Sequence, residues 1–97
     1  MLPVALMPEA ADEFKAATDW YEEQSPGLGL TFKQTVLSTF NMIAENPRLF
    51  QRVRPNHRRA VVGRFPYSVF FSVETEGIVV AAVFHSSRDP RLLAKRL

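Results

Sequence analysis

Hydrophobic positions along this chain follow two periods, and the change from one to the other divides it. Ala10, Phe14, Ala17 and Tyr21 recur at steps of four, three and four, which places them on one face of a helix. Pro8 is tolerated at such a start, and Glu9, Asp12 and Glu13 sit in the first turn, where the helix dipole favours acids. Trp20 and Tyr21 fall near its end. Aromatics at helical spacing are core residues far more often than ligand sites, so this pair is expected to pack beneath a sheet. Gln24-Ser25-Pro26-Gly27 breaks the pattern, with Ser25 as the expected cap and Pro26 as the first position of a second helix. Gly27 and Gly29 weaken that first turn. Phe32, Val36, Phe40 and Ile43 then form a second stripe, widened by Leu37, until Asn46-Pro47 ends it. Two helices joined by a tight turn make an antiparallel hairpin that must bury its stripe on another layer.

The other layer is read from the period-two segments. Leu2 to Leu6 is a short N-terminal strand. Phe50 to Arg54 is a short extended piece, and Pro55-Asn56 is a turn. Arg58–Phe65, Tyr67–Glu74 and Ile78–His85 are three consecutive strands, with a corner at Pro66 and a turn at Thr75-Glu76-Gly77. Alternation puts Tyr67, Val69, Phe71 and Val73 on one face and Ser68, Phe70 and Ser72 on the other. In the last strand Ile78, Val80, Ala82 and Phe84 oppose Val79, Ala81 and Val83, so both faces are apolar and the strand is expected to be central. Asp89 caps a short final helix, Pro90 to Lys95, with Leu92 and Leu93 available for packing. The expected fold class is α+β: an N-terminal strand, an antiparallel helical hairpin on a mainly antiparallel sheet of about four strands, and a short C-terminal helix. The final helix is too short to cover the whole second face of the sheet, which makes a partner protein a physical expectation.

At 97 residues the chain has room for one domain, expected over 1–97, and one this small buries little more than ~60% of its unfolded surface. Its 46% hydrophobic and 23% charged residues describe a folded protein. The absence of cysteine excludes disulfides and thiol chemistry. Acids follow the apolar start too soon for a signal peptide, and no segment reaches the ~20 apolar residues of a membrane helix. A soluble, cytoplasmic protein without a membrane partner is expected. The net charge of +2 conceals an asymmetry. Residues 1–47 hold two lysines against seven acids, a charge of −5, whereas residues 48–97 hold ten Lys and Arg against three acids, a charge of +7. The second half therefore suits an acidic partner or nucleic acid, or is a solvated surface with ion pairs.

Few residues offer chemistry. No glycine-rich phosphate loop is present, no pair of ligands stands at metal spacing, and no cofactor or metal is expected. Glu22-Glu23 is read as a solvated pair at a helix end. The cations form two groups, Arg48 to Arg64 around His57, and Arg88 to Arg96 after His85. Arginine's planar fork suits phosphate. His85, at the end of the last strand, has two readings: an acid or base acting near neutral pH, or a strand-end histidine held by a backbone hydrogen bond. Arg88 likewise binds phosphate or pairs with an acid of the helical hairpin.

Several pieces, in order, carry a resemblance. They are Trp20-Tyr21-Glu22-Glu23-Gln24-Ser25-Pro26-Gly27-Leu28-Gly29, Ile43-Ala44-Glu45-Asn46-Pro47, Arg58-Arg59-Ala60, Arg64-Phe65-Pro66-Tyr67 and His85-Ser86-Ser87-Arg88-Asp89-Pro90. Together they resemble the RelE/ParE family of bacterial toxins. The resemblance implies a toxin of a type II toxin–antitoxin module, held in a hetero-oligomer by a cognate antitoxin whose tail, often acidic, covers the exposed apolar surface. Arg58, Arg59, Arg64, Tyr67, Arg88 and Arg91 are the residues expected to meet the antitoxin or the target. RelE-like members cut messenger RNA on the ribosome, and ParE-like members are associated with inhibition of DNA gyrase. In a nuclease, His85 would be the acid or base, with Arg59, Arg64 and Arg88 on phosphate. The late tyrosine of several RNA cleavers has no counterpart after Tyr67, and the Ser-Pro-Gly-Leu-Gly hairpin and Arg-Asp-Pro ending are more ParE-like. The reading preferred here is a ParE-like toxin acting on a protein such as gyrase. The alternatives are a RelE-type ribonuclease and an inactive member that only binds antitoxin.

Overall fold

A computed structural model describes residues 1–97. In chain order the elements are β1 (Val4–Leu6), α1 (Pro8–Gln24), α2 (Leu28–Glu45), a 3-10 turn (Pro47–Leu49), β2 (Gln51–Arg54), β3 (His57–Val61), β4 (Tyr67–Glu74), β5 (Gly77–His85) and α3 (Pro90–Ala94). The sheet has five strands in the order β1-β5-β4-β3-β2, one more than expected. Strands β2 to β5 are antiparallel neighbours, while β1 runs parallel to β5, with Val4 opposite Ile78 and Leu6 opposite Val80. The parallel pairing needs a long connection, which here runs through the helical hairpin and then β2 to β4. The hairpin lies on one face of the sheet, where Phe32, Val36 and Ile43 from α2 and Ala10, Ala17 and Tyr21 from α1 meet Val69, Phe71, Ile78 and Val80. Phe32 and Phe71 are fully buried. Each contributes roughly 1.5–3 kcal/mol by leaving water.

The alternation expected of the last strand is broken. Phe70 faces Ala82 but Phe71 faces Val80, so Ala81 is an extra residue on β5. A bulge of this kind shifts the strand's phase by one. Ile78, Val80 and Val83 therefore point into the helical core, and Ala82 and Phe84 point the other way. On that second face they form a smaller cluster with Phe70 and with Leu93 of α3, against which Val53 and Leu97 pack. The final helix thus covers part of the second face through Leu93, while Leu92 stays exposed.

Three other local expectations are corrected. The strand begun at Arg58 ends at Val61, because Gly63 takes φ +48° and Val62 turns back to bond Tyr67. Leu37 is exposed and does not widen the buried stripe. Ser25 does not cap α2. The position before α2 is Gly27, whose φ of +88° suits glycine alone, and the capping acceptor comes from the preceding helix. The Glu22 carboxylate takes hydrogen bonds from the backbone N–H of Gly27 (3.0 and 3.1 Å) and of Gly29 (3.1 Å). Glu22 stays exposed, as expected, but its carboxylate is engaged. It satisfies orphan donors of the second helix and places negative charge at its N-terminus.

Candidate functional site

Where β1 stops at Leu6, the outer edge of β5 continues alone from Ala81 to His85. Unpaired backbone groups there need other partners, and side chains supply them. Glu13 on α1 accepts from the Val83 N–H at 3.0 Å, and Arg96 donates to the Ala81 carbonyl at 2.7 Å. The two side chains also hold each other, and Arg88 Nη1 reaches Glu13 Oε2 at 2.6 Å. Burial pushes the Glu13 carboxyl up, but the bonds from Arg96, Val83 and Arg88 outweigh it and hold it below the ordinary glutamate range. Glu13 is thus an ionised structural hub, tying α1, the bulge and the C-terminal segment together.

Beside this hub lies a cleft of about 280 Å³ between α1 and the end of β5, with Ala16 and Ala17 in its α1 wall and Trp20, Tyr67, His85 and Arg88 around them. Trp20 is 55% exposed, contrary to the expectation that it packs under the sheet; its neighbour Tyr21 is buried. The distinction is visible in phase: Trp20 stands four residues after Ala16 and seven after Glu13, beside the Ala10–Tyr21 stripe and not on it. Its ring meets Tyr21 edge-on at 5.2 Å, so its inner edge is supported while the rest faces solvent.

Tyr67 and His85 are paired across β4 and β5, with their rings edge to face at 5.0 Å. The His85 Nδ1 accepts the backbone N–H of Ser87 at 2.9 Å, and an amide can only donate. An imidazole that accepts this bond at Nδ1 has its N–H at Nε2. This is the strand-end arrangement expected for a held histidine. Burial raises the Tyr67 phenol above the usual tyrosine range, with Tyr21 and Glu13 adding to it against Arg88. Burial raises Tyr21 likewise. Both phenols therefore stay protonated at neutral pH.

The arginines expected at the site are spread out. Arg88 joins the cleft, pairing with Glu13 and lying over the Phe84 ring at 4.3 Å. The ion-pair reading of Arg88 is what the structure contains. Arg91 is turned into a three-bond contact with Asp89, which also caps α3. Arg58 lies opposite Phe71 on the helix side of the sheet and gives Nη1 to the Phe50 carbonyl at 2.8 Å. Arg59 is opposite Phe70 on the second face, exposed. Arg64 is exposed in the corner before Tyr67. The fold thus gathers Tyr67, His85 and Arg88, and adds Trp20 and Glu13, which sequence reasoning did not place there. Arg58, Arg59 and Arg91 lie elsewhere. No group of three or more metal-binding side chains is present.

The geometry can now be compared with known proteins. The family model described as "ParE toxin of type II toxin-antitoxin system, parDE" matches residues 4–90. A solved structure described as the chromosomal ParDE TA system from P. aeruginosa superposes with a TM-score of 0.76. The two are 19% identical, and the match covers 88% of this chain and 96% of the other, a likeness of fold. No curated protein sequence matches the chain.

Proposed function

The chain belongs to the ParE toxin family of type II toxin–antitoxin systems, and from that premise we propose that it arrests growth by binding a protein target such as DNA gyrase. A cognate antitoxin neutralises it in a hetero-oligomer. The observation that carries this reading is the cleft at Trp20, Tyr67 and His85: an exposed tryptophan braced by a second aromatic, at the end of a strand edge, is the form of a protein-binding anchor. Cleavage of RNA is less well supported. It calls for an acid or base and free phosphate-binding cations around one point. Here His85 Nδ1 is bonded to Ser87, Arg88 is engaged by Glu13, and Arg59 stands on the second face, opposite Phe70. Tyr67 and Arg88 remain the proposed binding residues at this cleft, and Arg64, exposed in the corner before Tyr67, is proposed with them.

The test is a supercoiling assay with purified gyrase and purified toxin, alongside mapping of messenger RNA ends after expression. Inhibited supercoiling with unchanged RNA ends is expected. Supercoiling untouched at high excess of a toxin that still arrests growth would overturn the gyrase reading, and new RNA ends would replace it with the ribonuclease.

A further inference from the structure

The β2–β3 hairpin carries four arginines and no acid. Two of them, Arg52 and Arg58, stand directly opposite each other across the ladder. Like charges in that position repel, and nothing in the fold compensates them: neither Arg52 nor Arg58, nor Arg48 from the preceding 3-10 turn, has a carboxylate within ion-pair distance. The three converge on one cleft of about 510 Å³, at the end of the sheet where β4 runs on past the start of β3. Arg58 is held in place by the Phe50 carbonyl at 2.8 Å, whereas Arg48 and Arg52 make no side-chain hydrogen bond. Asn56 and His57 complete the inner wall, and the His57 Nδ1 is buried without a partner. Glu74 stands at the rim and pairs with none of the arginines.

We propose that this cleft, formed by Arg48, Arg52 and Arg58, is a binding site for a phosphate group, separate from the Trp20–Tyr67–His85 cleft and independent of the toxin reading. Three guanidiniums around one opening exceed what a single carboxylate, with two oxygens and one charge, can satisfy. A phosphate offers more charge and more acceptor oxygens, and bidentate guanidinium contacts fit it. Fixing Arg58 in advance lowers the cost of ordering the site on binding. The phosphate belongs to a small phosphate ester or to a nucleic-acid backbone, two sources of the same chemistry.

Calorimetric titration of the full chain with inorganic phosphate, then with a short single-stranded oligonucleotide, tests this. Arg48→Gln and Arg52→Gln remove exposed side chains without internal partners, so both variants should fold; each should weaken phosphate binding by about tenfold, the loss of one charge-assisted contact. Arg54→Gln, of equal charge and on the same hairpin, should change it less than about twofold, as expected of a screened neighbour. Oligonucleotide that competes with phosphate assigns the site to nucleic acid. Phosphate binding without oligonucleotide binding assigns it to a small ester. Absent phosphate binding, an equal loss in Arg54→Gln, or tighter binding of an oligoglutamate peptide at the same residues overturns the proposal. Backbone amide shifts from residues 48–58 locate the site independently of the variants.

Discussion

Glu13 and Arg96 clasp each other through two parallel hydrogen bonds, Nη1 to Oε2 at 2.8 Å and Nη2 to Oε1 at 2.9 Å. Both side chains are about five-sixths buried. The pair joins the first helix to the last turn of the chain, and each member also serves a backbone group that the β5 bulge and the short β1 leave unpaired. Arg96→Ala would leave the carboxylate and the Ala81 carbonyl short of donors. The expected loss is about 2–3 kcal/mol of unfolding free energy in urea titration. Arg96→Lys should recover only part of it, because an ammonium cannot bridge both carboxylate oxygens and the carbonyl. A loss below about 0.5 kcal/mol, the ordinary range of surface substitutions, would remove the clasp from this account.

The same carboxylate predicts a pH dependence. Glu13 is held below its unfolded value in the folded protein. Its contribution is therefore complete above the ordinary glutamate range and is lost as pH falls through that range towards the folded value. Stability of the wild type relative to Glu13→Gln, measured from neutral to acid pH, should be constant at first and then converge. A difference that stays unchanged down to strongly acid pH would show that the carboxyl does not titrate as proposed. Asp89, lowered by Arg91, acts in the same direction, so Asp89→Asn is the necessary control.

The hairpin between the two helices depends on close approach at Gly29. A methyl group there would lie 2.7 Å from the Thr18 carbonyl and 2.8 Å from Glu22 Cβ. Alanine gains about 1 kcal/mol in helix propensity, so a clash of this kind must exceed that gain to be seen. Two contacts under 3 Å, one of them to backbone, are expected to do so, and Gly29→Ala should be destabilised by about 1–2 kcal/mol net. Glu22→Ala keeps the space and loses the cap, at about 1 kcal/mol. A more stable Gly29→Ala would mean that the helices separate at little cost.

Trp20 separates folding from binding. It is more exposed than buried, so Trp20→Ala should change stability by less than about 1 kcal/mol. Growth arrest and affinity for the protein partner should both fall, affinity by tenfold or more, as for an interface anchor. Full toxicity of a folded Trp20→Ala protein would place the partner elsewhere on the surface.

Most of the architecture was legible in the chain itself. The stripes Ala10–Tyr21 and Phe32–Ile43, the turn residues and the alternation in Tyr67–Glu74 specify a helical hairpin over a sheet, since each reports a local period and needs no distant partner. The ordered pieces from Trp20 to Pro90 were enough to indicate the toxin family. Three features depended on tertiary structure. The bulge at Ala81 redirected Ala82 and Phe84, because an extra residue on one strand is defined only by the register of its neighbour. Glu22 and Glu13 became a cap and a hub because their partners lie in other elements, up to 83 residues away. Trp20 lies beside the buried stripe by its phase alone, but it became the wall of a cleft only because the sheet brings Tyr67, Val83 and His85 up to it. Periodicity determines which faces are apolar; the packing of the elements decides which of those faces remain open, and that is where the candidate site lies.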